Sequence, residues 1–271
     1  MSSPATVPDE LGRWDFETTS RVAVATFRRP PRNLMPFAGM ERLRSWLLTI
    51  AEDPGVAVVM LTGGIPGYFV AHADLEDLVA LGEGREASGD ARVWYRTLRL
   101  IEEMPQPVVA AVNGQAWGGG FELSLACLFR LAAHSASFCF LEVDLGLMPG
   151  AGGVQRAQRL LGPGRAADLV LNGPVVPAID ALAMGAVTAV LRDEDFDAAA
   201  RDWCQRLAAK PRPSLVAAKK ALMAGLYAAY DEALREDGRR FAALMDDPHT
   251  LELERAVIER YRREDGPGGS G

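Results

Sequence analysis

Cysteine is scarce in this chain of 271 residues: Cys127, Cys139 and Cys204 are the full set, and no two form a CxxC pair. An odd count, with two members among apolar neighbours and the third in a helix-like segment, reads as reduced thiols in a cytoplasmic protein and excludes a disulfide framework. Long hydrophobic runs are missing too. Stretches such as Val56 to Leu61 fall far short of the roughly 20 apolar residues that span a bilayer. The opening MSSPATVPDELGRWDF has neither a basic n-region nor an apolar h-region, so it does not read as a signal peptide. The three histidines, His72, His134 and His249, have no metal-ligand spacing, so no metal site is expected. There is no Gly-Lys-Ser/Thr phosphate loop, and Ser135 and Ser137 flank no nucleophile elbow. Gly162-x-Gly164-x-x-Ala167 partly matches a dinucleotide fingerprint, but it lies between helical segments instead of after a strand. Positive charge is in deficit: 29 Lys and Arg against 36 Asp and Glu, net −7. That balance argues against a nucleic-acid phosphate backbone as partner and leaves room for a local basic patch facing one phosphorylated ligand.

What is present is ordinary soluble-protein material, 49% apolar and 24% charged, in a chain long enough to bury a sizeable core. Arg21 to Phe27 reads as a strand, and the proline-rich Arg28 to Pro36 as a loop. Met40 to Ala51 has helical spacing, and Val56 to Thr62 and Val108 to Val112 are buried strands. Gly82 to Asp90, GEGREASGD, reads as a mobile loop at a ligand mouth or as a linker. Val93 to Met104 is an amphipathic helix stopped by PQP, and a helix starts near Gly119 and runs to about Cys127. Short strands follow at Arg130 to Ala133 and around Phe138. Helices follow over Gln155 to Leu161, Ala166 to Leu171 and Pro177 to Met184, the last with Gly185 as its C′ residue. From Phe196 strand signals vanish and alanine-rich amphipathic helices run to about Arg263. Ala217 to Tyr230 is apolar nearly all round apart from Lys219 and Lys220, which suits docking on the core or a subunit interface. No sequence repeat of fixed period is visible. Strand–helix alternation followed by helices gives an α/β class with a helical extension.

The densest chemistry lies between Pro107 and Gly153. Gly118, Gly119 and Gly120 come soon after a buried strand and just before an apolar helix. A helix N-terminus concentrates unpaired N–H groups, and glycine admits close approach of a ligand, so the N–H of Gly119 can serve as an oxyanion donor. Glycines serve close helix–strand packing equally, and on spacing alone packing is the stronger reading. Glu122 sits between Phe121 and Leu123 in the first turn, and Glu142 follows Phe138-Cys139-Phe140-Leu141. Two carboxylates in apolar walls suggest paired acid/base work. Taken singly, Glu122 also reads as a helix N-terminal charge and Glu142 as a loop-surface residue. Asp144 reads as structural.

The segment AAVNGQAWGGGFELSLAC, followed by FLEVDLGLMPGAGGVQR, resembles the signature of the crotonase superfamily, the enoyl-CoA hydratase/isomerase family. FVAHADLEDL over 69–78 resembles a further family segment, and the resemblance extends over about residues 20–265. It implies a crotonase-like spiral of ββα units over 14–195, with an acyl-CoA site, and a C-terminal helical trimerisation region over 196–265, with flexible ends at 1–13 and 266–271. It implies a homotrimer or a hexamer built as a dimer of trimers, an acyl-CoA thioester as partner, and no cofactor, since coenzyme A arrives with the substrate. No nucleic acid, membrane or metal is expected.

By position, the resemblance makes the N–H groups of Ala73 and Gly119 the oxyanion donors, Glu122 a residue that helps activate water, and Glu142 the acid. It places an adenine pocket on the backbone of Ala71, His72, Ala73 and Asp74, and Arg32 near the CoA phosphates, with Lys219 or Lys220 as a phosphate contact from a neighbouring subunit or as plain solvated charges. Leu75, Trp117, Gly118, Phe140, Pro149 and Gly150 complete the expected substrate-binding set. Four positions depart from the family pattern, one of them Leu128, where an aspartate is common. His72 replaces a glycine, which raises the question of a positive φ there, and Leu141 replaces a proline before the second glutamate. Phe140 is larger than usual and, with Phe138, is expected to shape the acyl pocket. The activity implied is hydration of a 2-enoyl-CoA to a 3-hydroxyacyl-CoA. The alternatives are another crotonase-type reaction (isomerisation, C–C cleavage or decarboxylation) and a catalytically weak acyl-CoA-binding homologue.

Overall fold

The structure, a computed structural model, describes residues 11–226, 242, 245, 246 and 248–265. Valine- and alanine-rich runs build its centre. A six-stranded sheet has the order β1-β2-β3-β5-β7-β10 and a four-stranded sheet the order β4-β6-β8-β9. The strands of the first are Arg13–Thr19 (β1), Val22–Arg28 (β2), Val58–Gly63 (β3), Val108–Val112 (β5), Phe129–Ala133 (β7) and Ala189–Leu191 (β10). Those of the second are Gly67–Tyr68 (β4), Gly114–Trp117 (β6), Ser137–Cys139 (β8) and Val176–Pro177 (β9). From β3 onward the chain visits one sheet and then the other before each helical segment: β3 with β4, β5 with β6, β7 with β8. Within each sheet these successive strands pair in parallel. This is a spiral of ββα turns whose repeat is carried by backbone topology, and parallel strands buried on both faces read as continuous apolar runs without a fixed sequence period.

The ten described helices are α1 (Phe37–Ala51), α2 (Leu75–Gly82), α3 (Arg92–Glu103), α4 (Gly119–Ala126), α5 (Gly153–Leu161), α6 (Pro163–Asn172), α7 (Ala178–Ala183), α8 (Phe196–Ala208), α9 (Arg212–Leu226) and α10 (Pro248–Glu264). Helix α4 is buried at every position, and α8 packs on β3. Two buried cations close helix C-termini, where unpaired carbonyls collect. Arg130 donates to the carbonyls of Ser124 and Cys127 at the end of α4. Lys219, on α9, donates to those of Ile101, Met104 and Gln106 at the end of α3. Lys219 is therefore a structural cation, 3% exposed, and reaches no phosphate of a neighbour; Lys220 is exposed. Burial pushes the Lys219 pKa down to about 7.

Several elements differ from the sequence-based expectation. Strand β1 includes Arg13 and pairs antiparallel with β2. It is an edge strand, exposed along nearly its whole length, and its turn has Ser20 at φ 50 and Arg21 at φ 68. A two-residue turn with both φ values positive normally advertises itself by Asn-Gly or a similar pair, and here that signal is absent. Helix α1 starts at Phe37, three residues early, because the carboxylate of Asp77 accepts from the Phe37 N–H and Ser88 Oγ accepts from the Ala38 N–H. Ser88 in turn donates to Asp77 through both N and Oγ. The 82–90 segment is thus anchored at Ser88, because its polar side chain closes a buried hydrogen-bond cluster. Residues 1–10 of the expected flexible end over 1–13, the end at 266–271, and the 227–230 part of the apolar stretch lie outside the described residues.

Candidate active site

Two strand-to-helix corners meet at one cavity. At the first, β6 gives way to Gly118, whose φ of 48 and ψ of −124 suit only glycine. Gly118 caps α4, and its N–H donates to the Cys139 carbonyl. The first helical bond runs from Glu122 N–H to Gly118 C=O, so the N–H of Gly119 has no acceptor within the helix. Gly120 answers the packing reading: a Cβ there would lie 1.8 Å from the Val70 carbonyl oxygen. At the second corner, the bridge between Met35 and Ala73 uses the His72 carbonyl and the Asp74 N–H, and the N–H of Ala73 takes no part in it. The corners touch, since a Cβ built on Gly119 would sit 3.3 Å from that of Ala73.

Glu122 is 4% exposed. Its Oε1 accepts from the N–H groups of Ala151 and Gly153, each at 2.8 Å, at the start of α5. The glycine-rich turn over 149–153 therefore aims two peptide dipoles at one carboxylate oxygen, an arrangement that stabilises negative charge there. Arg156 holds the same turn from behind: it donates to the Ala151 carbonyl at 2.6 Å and pairs with Glu102 at 2.6 Å. Glu142 opens the short 3-10 turn Val143–Leu145. Its carbonyl accepts from Leu145 and Leu147, which fixes the chain after the Leu141 position without a proline. Its Oε1 lies 3.2 Å from where a Cβ on Gly118 would be, and its Oε2 has no hydrogen-bond partner. Burial, and after it the negative charge of Glu122, raise the Glu142 pKa well above the usual carboxylate range. Two carboxyl groups thus share one wall in different surroundings, one held by peptide donors and the other with its neutral form favoured by desolvation.

The cavity, about 250 Å³, is lined by His72, Ala73, Leu75, Gly118, Gly119, Glu122, Glu142 and Gly150 from the expected set. Phe37, Leu78, Leu81, Trp94, Tyr95, Leu141, Leu145, Leu147 and Met245 supply apolar walls. Trp117, Phe140, Pro149 and Ala71 do not line it. Trp117 Nε1 donates to Ser137. Ala71 gives its N–H to the Asn33 carbonyl and its own carbonyl to the Trp117 N–H, so its backbone is occupied within the fold. Phe138 and Phe140 share one face of an extended segment and pack on Phe121, with ring centroids at 5.3 and 4.7 Å. That alternation turns Leu141, not the two aromatics, toward the cavity. Pro149 is buried. Arg32 and Asp74 line a second cavity of about 460 Å³, with Arg29, Leu75, Tyr261 and Arg262. There Arg32 pairs with Glu264 at 2.6 Å and Asp265 at 2.9 Å. Asp74 pairs with Arg29 at 2.6 Å and caps α2 through the Glu76 N–H. His72 has no positive φ, so nothing in the backbone calls for glycine at that position.

The sequence pattern described as enoyl-CoA hydratase/isomerase matches residues 17–261. The chain belongs to the enoyl-CoA hydratase/isomerase family. It is 34% identical over 248 residues to a crotonyl-CoA hydratase of Syntrophomonas wolfei, an alignment covering 91% of this chain and 95% of that one. It is 31% identical over 258 residues to a short-chain-enoyl-CoA hydratase of Clostridium acetobutylicum, covering 94% and 98%. The crystal structure of an enoyl-CoA hydratase from Mycobacterium avium subsp. paratuberculosis superposes with a TM-score of 0.82 at 28% identity, over 93% of this chain and 100% of the other. The fold is that of these enzymes. Among the described residues, no helix is long and apolar enough to cross a membrane, and no cluster of His, Cys, Asp or Glu could hold a metal ion.

Reading the sequence alone missed the donors to Glu122, namely Ala151 and Gly153, and the Arg156–Glu102 pair behind them. Arg156 stands inside the GAGGVQR segment, so its position was visible. Its buried partner, Glu102, comes from the far end of α3, and no local pattern reports that pairing.

Proposed function

We propose that this protein hydrates a 2-enoyl-CoA thioester to the 3-hydroxyacyl-CoA. The observation that carries the reading is the pair of unlike carboxyl groups in one apolar cavity beside two peptide N–H groups that neither the α4 ladder nor the Met35–Ala73 bridge uses. The thioester carbonyl sits between the N–H groups of Ala73 and Gly119, which stabilise the charge that develops on its oxygen, each donor contributing ~3 kcal/mol. Glu122 takes a proton from water as the oxygen attacks Cβ. Glu142 gives its proton to Cα, and transfer of the first proton from Glu122 to Glu142 restores the starting state. The Glu142 carboxyl, with its raised pKa, is suited to the acid role.

The CoA moiety leaves along the second cavity, lined by Arg29, Arg32 and Arg262, which its phosphates take over from the carboxylates of Asp74, Asp265 and Glu76 that now pair with them. The core over 14–195 carries the site and the region from 196 onward serves assembly into trimers. The exposed Leu222 on α9 supports a subunit interface in that region, which sedimentation of the purified chain tests.

The test of the activity is loss of the conjugated enoyl-thioester absorbance with short-chain enoyl-CoA substrates. Wild type is expected to turn over. Glu122→Ala and Glu142→Ala are expected to lose about 10²- to 10⁴-fold in kcat. Full activity in either variant sinks the two-carboxyl mechanism, and no hydration at any chain length sinks the activity itself.

A further inference from the structure

The corner that offers Ala73 also carries a side chain with no part in the reaction as described. His72 is 2% exposed. Its Nδ1 lies 2.6 Å from the Ala73 carbonyl oxygen and its Nε2 3.2 Å from Tyr261 Oη. A carbonyl can only accept, so Nδ1 carries the ring proton, and Nε2 is left to accept from the tyrosine hydroxyl. Burial pushes the His72 pKa down to about 4, which keeps the ring in that neutral form. The carbonyl of His72 accepts from Met35 N–H at 2.9 Å, and that carbonyl belongs to the same peptide plane as the Ala73 N–H. One residue thus fixes the peptide on each side of Ala73.

Tyr261 belongs to α10, in the last third of the helix. Its ring stacks on His72 at 5.6 Å, and the Arg32 guanidinium lies 4.1 Å from the ring centroid. The turn that holds Tyr261 is pinned by Arg262 to Glu76 on α2 and by Glu264 and Asp265 to Arg32. A continuous contact therefore runs from the C-terminal helix through two rings to the oxyanion peptide.

We propose that His72 and Tyr261 are positioning residues that aim the Ala73 N–H at the substrate carbonyl, so that the last turns of α10 govern how strongly the thioester is polarised. The inference rests on the enoyl-CoA reading, and on Ala73 being one of its two donors. It gives a role to the histidine at a position where the family pattern has glycine.

The probe is cinnamoyl-CoA, an aryl-conjugated enoyl thioester whose absorption moves to longer wavelength when its carbonyl is polarised. Full-length wild type, Tyr261→Phe and His72→Gly are each titrated with it, and enoyl-CoA hydration is measured in parallel. Wild type is expected to give a red shift. Tyr261→Phe keeps the ring and loses only the hydroxyl, and it is expected to show a smaller shift and about fivefold lower kcat with KM within about twofold. His72→Gly is expected to lose more and to recover part of both readouts in added imidazole, which fills the vacated space and restores the donor to the Ala73 carbonyl. If Tyr261→Phe gives the wild-type shift and kcat, the proposal is overturned. It is equally overturned if only KM rises, because Tyr261 then serves binding alone. Should His72→Gly fail to fold, Tyr261→Phe decides. A wild-type shift without hydration removes the hydratase reading and leaves the positioning role to be judged on the shifts. A bound probe with no shift in wild type removes Ala73 from its donor role and overturns both.

Discussion

The two corners that meet at the cavity solve one problem by opposite means. Each must turn a strand into a helix and still leave a peptide N–H free for a ligand. At the Ala73 corner the helix is closed by a side chain: Asp74 caps α2 and is neutralised by Arg29. Its carboxylate belongs to the structure, and the free N–H lies one residue before the cap. At the Gly119 corner no side chain caps α4. The free N–H is the first of the helix itself, and the acidic residue of that first turn, Glu122, faces the cavity and is held by peptide donors from α5. A capped corner needs side chains of the right kind, whereas an open corner needs glycine and a neighbour that approaches closely. The difference explains why one corner tolerates His72 while the other is three consecutive glycines.

Breaking the open corner has the largest expected effect. Gly120→Ala puts a methyl group on the Val70 carbonyl oxygen, and α4 cannot dock as it does now. A loss of more than about 3 kcal/mol is expected, with the thermal midpoint down by about 10 °C; an unchanged midpoint would show that β6 and α4 separate easily. Next is the support behind Glu122. Arg156→Met takes the guanidinium away from buried Glu102 and frees the Ala151 carbonyl. We expect a loss of about 3–5 kcal/mol by chemical denaturation, and a fall in kcat beyond what the folded fraction accounts for, because the Glu122 donors are no longer fixed.

The acid of the site gives a change of opposite sign. Folded Glu142 keeps its proton at pH values where the unfolded chain, with an ordinary Glu pKa of about 4.3, has lost it. Wild-type stability therefore falls as pH rises from that value up to the raised folded pKa. Glu142→Gln cannot ionise and is expected to be more stable than wild type above this window while losing activity. A variant no more stable at neutral pH would mean that Glu142 is solvated. The proton-donating form is lost through the same raised pKa, so wild-type kcat should fall at high pH, and Glu122→Gln, which removes the like charge, should lower the Glu142 pKa. The smallest effect is expected at the capped corner. Asp74→Ala loses one helix cap, which costs about 1 kcal/mol, together with the Arg29 pair. Two-state denaturation measures it, and a loss as large as that of Gly120→Ala would erase the contrast between the corners.

Most strands and helices were legible because their periodicity is strong. Val108–Val112 appears in the fold with the bounds read from the sequence. Strand β1 was missed although Trp14 and Phe16 alternate with charged residues, because an edge strand keeps little buried and its turn lacks glycine. The site divides along the same line. The Gly-Gly-Gly segment with Glu122 carries a local signal, since glycine and a carboxylate in an apolar run are both unusual. Ala73 carries none: an alanine N–H becomes a donor only when the bridge to Met35 leaves it free, and its place was legible only through family resemblance.

By itself the sequence determined that the chain builds an α/β core with a helical extension, that a glycine-rich turn opens an apolar helix, and that two glutamates lie in greasy surroundings. Backbone conformation and local burial are written in residue type and spacing. Tertiary structure alone decided that Glu122 meets two peptide donors from a distant turn while Glu142 Oε2 meets none, that Phe138 and Phe140 turn into the core and Leu141 toward the cavity, and that Lys219 closes a helix. It also decided that His72 reaches from an oxyanion peptide to Tyr261, 189 positions away. The ionisation and aim of a polar side chain depend on the groups that packing brings within a hydrogen bond of it, and those groups come from segments far apart in the chain.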